Sequence, residues 1–220
     1  MKKTQAQTKT LEVEKRFLSF EVRADEKQES EEKGIVDGYA VVYDKKTDIC
    51  GYFEETIKRG ALDNADLKDV PLLVNHDTDT IPVARSRRNN GNSSMTLTVD
   101  EKGLKIRAEL DLKNNARASE LYSAIKRGDI SGMSFMFTVK TDEWTDEDTD
   151  YPKRTITEIA KVYEVSAVTF PAYNDTSIGA RAVDTESAKK ILEKIKRNGH
   201  CEDEDEKAKL RMLIEINANV

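Results

Sequence analysis

Residues Gly132-Met133-Ser134-Phe135-Met136-Phe137-Thr138-Val139 decide how this chain folds. Large apolar side chains recur at every second position, so Met133, Phe135, Phe137 and Val139 share one face of a β-strand. Ser134, Met136 and Thr138 share the other. With the aromatic face in a core, Ser134 points outward, toward the side from which a ligand arrives. Gly132 lacks a Cβ, so backbone or ligand can approach closely there.

The flanking sequence extends this reading. Upstream, Ala118, Leu121, Tyr122 and Ile125 fall on one face at helical spacing and predict a helix over 114–127. Lys126 and Arg127 suit the negative end of its dipole, and Gly128 is the expected cap. Downstream, an acidic loop separates the strand from another strand over 153–169, closed by Pro171. Residues 104–110 alternate apolar and charged, as a half-buried strand does. Residues 34–43 are rich in β-branched and aromatic residues, with Gly38 the expected bulge. Residues 12–22 and 72–74 also have strand character. Residues 53–62 suggest an edge segment followed by a helical turn. The Asn89-Asn90-Gly91-Asn92 loop predicts a hairpin between strands over 80–85 and 94–99.

The sum is about eight strands with two or three helices before residue 183, an α+β chain that is mainly β. Short strands joined by turns favour an antiparallel, barrel-like domain with helices in the connections. Strands and helices do not alternate and no Gly-rich phosphate loop appears, which excludes a doubly wound nucleotide fold. From about Thr185 the texture changes. Ala188, Ile191, Leu192 and Ile195 form a narrow apolar stripe, and Leu210, Leu213 and Ile214 form a second. Such helices cannot build a core alone and are expected to pack on the body, on each other or on a partner. The chain divides into a disordered tail at 1–10, a main domain at 11–182 and a charged helical extension at 183–220.

The net charge of -6 and the acidic runs argue against a nucleic-acid partner, which requires a basic stripe. The first residues are basic without a following apolar stretch, so no secretory signal is expected, and no apolar run reaches membrane-spanning length. Cys50 and Cys201 have no metal-type spacing and read as free thiols of a soluble, intracellular chain.

Two histidines occur in 220 residues. His200 lies in an acidic linker, whereas His76 follows the apolar run Pro71-Leu72-Leu73-Val74, where a strand leaves a core. A serine hydroxyl is a poor nucleophile until a base takes its proton, and histidine is the natural base near neutral pH. Ser134 is the candidate nucleophile, with Ser131 its competitor. The imidazole needs an acceptor to hold its tautomer. Glu164 interrupts an apolar strand, where a carboxylate must have a partner, and Asp77 and Asp79 are the alternatives. Arg85, Arg87 and Arg88 follow His76 and are candidates for stabilising an oxyanion, although exposed ion pairing is the commoner use of such residues. One histidine in the main body is too few for a metal hydrolase, and no cofactor is expected. The Gly-x-Ser-x-Gly elbow of lipases is absent because Met136 stands at its last position.

The segments 36–43, 53–62, Leu73-Val74-Asn75-His76-Asp77, 128–137 and 164–172, in that order, resemble the prohead (capsid maturation) protease family of tailed bacteriophages, relatives of the herpesvirus assemblins. The resemblance spans roughly residues 12–182. It implies a serine endopeptidase on an antiparallel β-barrel wrapped by helices, like the herpesvirus proteases. His76 matches the family's histidine and Ser134 its nucleophile. Glu164 matches the acidic position that replaces the second assemblin histidine. Met136 departs from the glycine usual two residues after the nucleophile, which implies a narrower groove. The implied substrates are scaffold protein, the major capsid protein and the chain itself, inside the assembling prohead in the host cytoplasm. No nucleic acid or membrane is implied, and the assemblins suggest a homodimer. The extension at 183–220 would then dock the enzyme in the prohead. The rival reading is a catalytically silent structural or scaffold-associated assembly protein of the same fold.

Overall fold

The computed structural model describes residues 13–18, 22–28, 30, 32–49, 51–169 and 188–193. Its spine is a long antiparallel pair, β10 (Gly132–Thr145) and β11 (Lys153–Val168). β10 carries the expected alternation and β11 forms the expected strand, and β10 runs further than the apolar pattern does. Its last residues, Asp142 to Thr145, keep ladder bonds to β11 although their side chains are exposed or half-exposed. A ladder needs backbone groups and not apolar side chains, so the hydropathy pattern ends before the strand.

β11 serves different partners along its length. Its first residues, Lys153–Ile156, run parallel to β5 (Phe53–Ile57), and Val165–Ala167 run parallel to β6 (Asp69–Val74). β4 (Thr47–Ile49) pairs with β5, β7 (Ala84–Arg87) pairs with β6, and β1 (Val13–Leu18) lies along β10. These seven strands form one sheet. The second sheet has the order β2 (Val22–Ala24), β3 (Lys33–Val42), β9 (Gly103–Asp111), β8 (Met95–Val99). Val36, Leu104, Ile106 and Leu110 from this sheet meet Phe135, Phe137, Ile156 and Val165 from the first in one buried core.

Helix α1 (Ala116–Arg127) packs on the smaller sheet through Ala118, Leu121, Tyr122 and Ile125. Asn115 caps its start by accepting from the Ala118 N–H at 3.1 Å, and Gly128 ends it at φ 80°. Gly34 makes the close packing possible, because a Cβ there would stand 2.7 Å from the Tyr122 ring.

The chain is therefore α+β and mainly β, as expected, but several details differ. Among the described residues no ladder closes the strands into a barrel, and two of the pairings of β11 are parallel. Before residue 183 the described helices reduce to α1 and a single 3-10 turn, Glu26–Gln28. The helical turn expected before Leu62 is a series of tight turns with Gly60 at φ 86°. The bulge of β3 falls between Tyr39 and Val41, while Gly38 keeps its place opposite Ile106.

The expected β7–β8 hairpin is not formed, since the two strands belong to different sheets. Side chains take over the hydrogen bonds a hairpin ladder would have made. Asn89 accepts from the Leu97 N–H at 3.0 Å and donates to its carbonyl at 2.9 Å. Ser94 and Ser93 accept from the N–H groups of Arg85 and Arg87 at 2.9 and 2.8 Å. Polar loop residues that look like turn formers here bridge two layers.

Residues 188–193 are helical, with Ala188 buried beside Ile49 and Phe53 and Ile191 packed against the same group. This part of the extension thus packs on the body. The tail at 1–10, Cys50, Cys201, His200 and the rest of 183–220 lie outside the described residues.

Candidate active site

His76 is presented by an unusual turn. β6 ends at Val74, and both Asn75 and His76 are left-handed, at φ 52° and 58°. Non-glycine residues adopt this conformation at a cost, so it persists only where neighbours hold it. Here the Asn75 N–H donates to Ala167 O at 3.0 Å, and the Thr169 N–H donates to the Asn75 side chain at 2.9 Å. The His76 N–H donates to Ser166 Oγ at 3.1 Å. The turn is thereby clamped to the end of β11, and the imidazole is carried over the β10–β11 pair.

On that pair Ser134 stands opposite Ser166, and Met136 opposite Glu164. The ladder then shifts: Phe137 pairs with Val162, so Tyr163 is the extra residue of a bulge. Without it, strict alternation would place Val162 on the Glu164 face. The bulge returns Val162 to the core and leaves Glu164 on the Ser134 face.

The three expected residues meet there. His76 Nε2 is 2.6 Å from Ser134 Oγ, and His76 Nδ1 is 2.5 Å from Glu164 Oε1. Ser166 Oγ donates to the other Glu164 oxygen at 2.6 Å. All four residues are buried. A carboxylate only accepts, so the proton between Glu164 and the ring sits on Nδ1, which leaves Nε2 free to accept from the serine. This is the arrangement that a serine nucleophile with an oriented base requires.

The competing candidates lie elsewhere. Ser131 is exposed, and its carbonyl accepts from the Val22 N–H. Asp77 pairs with Arg117 of α1 at 3.3 Å and also accepts from the Asp79 N–H. Arg85 forks onto Asp69 at 2.7 and 2.8 Å, the commoner use anticipated for it, and Arg87 and Arg88 are exposed. Sequence reasoning missed Ser166, although its spacing of two from Glu164 on one strand was the signal for it. It also set Ser134 on an open face. In the structure the residue is fully buried, and the carbonyl oxygen of Arg16 on β1 also lies within hydrogen-bonding reach of its Oγ, so the single hydroxyl proton is shared between that oxygen and His76 Nε2. The burial follows from β1, whose own sequence does not say where it pairs.

A family model described as caudovirus prohead serine protease matches residues 18–191. The chain is 33% identical over 156 residues to a prohead protease of Enterobacteria phage HK97, a match covering 69% of this chain and 62% of that relative. The chain thus spans less than two thirds of the relative's length. No solved structure matches. With a family match over most of the sequence, this chain belongs to the caudovirus prohead serine protease family.

Proposed function

We propose that this chain is a serine endopeptidase of phage prohead maturation, with Ser134 as nucleophile, His76 as general base and Glu164 as the residue that orients the base. The observation that carries the reading is the unbroken row from Ser134 Oγ through both imidazole nitrogens to Glu164, at 2.6 and 2.5 Å. Ser134 Oγ attacks the scissile carbonyl while His76 Nε2 takes its proton. The imidazolium then lies against the Glu164 carboxylate, which offsets its positive charge. The proton passes to the leaving amine, and a water, deprotonated by the same nitrogen, releases the acyl group.

Scaffold protein and the major capsid protein are the proposed substrates, and the chain itself a third. The enzyme would act inside the prohead in the host cytoplasm, without a cofactor, and as a homodimer if assemblin kinship extends to assembly. Glu164 in place of a second histidine and the His-then-Ser chain order support that kinship. The test is intact mass over time for wild type and Ser134→Ala with assembled capsid and scaffold proteins. Defined cleavages lost in the variant support the proposal. Cleavages that persist move the nucleophile, to Ser131 first. No cleavage in either favours a structural assembly protein.

A further inference from the structure

A peptide that reaches Ser134 in extended form must add to a free edge of β10. One edge holds β11, and the other holds β1, with Phe17 opposite Ser134 and Arg16 opposite Phe135. The Arg16 carbonyl is the group hydrogen-bonded to Ser134 Oγ. The Arg16–Phe17 peptide group is therefore the one that lies beside the candidate nucleophile, with its oxygen, not yet its carbon, against Oγ. All of β1 except Leu18 precedes the family match, which begins at residue 18.

The side chains of this segment meet a charged pocket. Arg16 is 1% exposed and forks onto Glu55 of β5 at 2.5 and 2.8 Å, with its guanidinium 5.6 Å from the centre of the Phe137 ring. Glu14, two residues earlier, takes a fork from Arg154 of β11 at 2.6 and 2.9 Å, and also pairs with Arg16. Arg154 reaches Glu55 at 3.0 Å and Asp142 at 2.8 Å. A neutral side chain in place of Arg16 would leave the buried Glu55 carboxylate short of a partner, and an acidic one would set two carboxylates in contact. A guanidinium matches the carboxylate fork better than an ammonium does.

We propose that Glu55 is the specificity-determining residue of this groove: it selects a basic residue immediately before the scissile bond, Arg154 selects an acidic residue two positions earlier, and β1 is the chain's own substrate segment, cut between Arg16 and Phe17. The inference rests on the protease reading. In the reaction the Ser134 Oγ bonds to the Arg16 carbonyl carbon and its proton goes to His76 Nε2. The Arg16–Phe17 C–N bond then breaks and the Phe17 nitrogen takes that proton. Water hydrolyses the ester, giving the Arg16 carboxylate and free Ser134. The cut turns the occupant of the groove into a product that can leave.

The test incubates the full chain with assembled capsid and scaffold proteins and reads new N-termini by mass and end-group sequencing. A Ser134-dependent terminus at Phe17 is expected, slowed about tenfold or more by Arg16→Gln and much less by Arg16→Lys. Glu55→Gln should lose the preference for a basic residue. Arg16→Glu combined with Glu55→Lys should regain part of what each loses alone, which a merely misfolded variant cannot do. Ser134-dependent cleavage of capsid protein without a cut after Arg16 and without preference for basic residues overturns the inference and leaves the protease reading standing. Absence of any Ser134-dependent cleavage overturns both.

Discussion

On one face of β10, Ser134, His76, Glu164 and Ser166 form a row in which the buried carboxylate is met by an imidazole N–H and a hydroxyl. On the other face, Glu14, Glu55 and Asp142 are met by the guanidiniums of Arg16 and Arg154. Apart from the half-buried Asp142 both groups are buried, and the handling of charge separates them. In the second group fixed cations answer the carboxylates. Burial alone would raise the Glu14 carboxyl, yet Arg16 and Arg154 outweigh it and hold it below the ordinary carboxylate value. Burial would likewise lower Arg154, but its bonds to Glu14 and its proximity to Glu55 push it above the usual range. The first group, Ser134, His76, Glu164 and Ser166, is made of side chains that carry no permanent positive charge, and in the proposed mechanism a proton arriving on His76 creates the charge that Glu164 meets. The geometry of one cluster suits holding a strand, and the proposed role of the other is to move a proton.

Substitutions can break this contrast. Ser134→Ala should have the largest effect, a loss of peptidase rate on the order of 10³-fold or more, with the unfolding midpoint little changed. Glu55→Ala should add a loss of stability to its loss of preference for a basic residue. Removing one partner strands buried charge, so a loss of about 3–5 kcal/mol in urea unfolding is expected. If that variant were as stable as wild type, the ion cluster would not be what holds β1.

Ser166→Ala should lower kcat by about tenfold with KM unchanged, because it loosens Glu164 and the His76 backbone without touching the groove. An equal rise in KM would show that Ser166 shapes binding instead. Acid should weaken the charged cluster. The Glu14 carboxyl is lowered in the folded state, so its stabilisation is complete above its ordinary value of 4.5 and is lost as pH falls through the lowered one. Arg16, Arg154 and the nearby Glu55 and Asp142 surround it. Comparison with Glu14→Gln by urea unfolding across this range should show the wild-type advantage shrinking with acid. Arg85→Ala should change least, by no more than about 1 kcal/mol and without effect on the rate, since its partner Asp69 is on the surface. A large rate loss would instead restore Arg85 as an oxyanion residue.

Much of this protein is local and legible in the residues. The alternation in 132–139 determined the strand and its core face. The stripe in 118–125 with Asn115 and Gly128 determined the helix and both ends. The scarcity of histidine pointed to His76, strand-borne Ser134 and Glu164 were its preferred partners over Ser131, Asp77 and Asp79, and resemblance joined the three. Long-range pairing decided the rest. Nothing local tells β11 to serve β5 and β6 in parallel, places β1 over Ser134, or sends β7 and β8 to different sheets. Period two reveals which side chains share a face, but it carries no information about which strand lies beside it. Ser166 and the Arg16–Glu55 fork became readable only once pairing and the bulge at Tyr163 had brought together residues far apart in the chain.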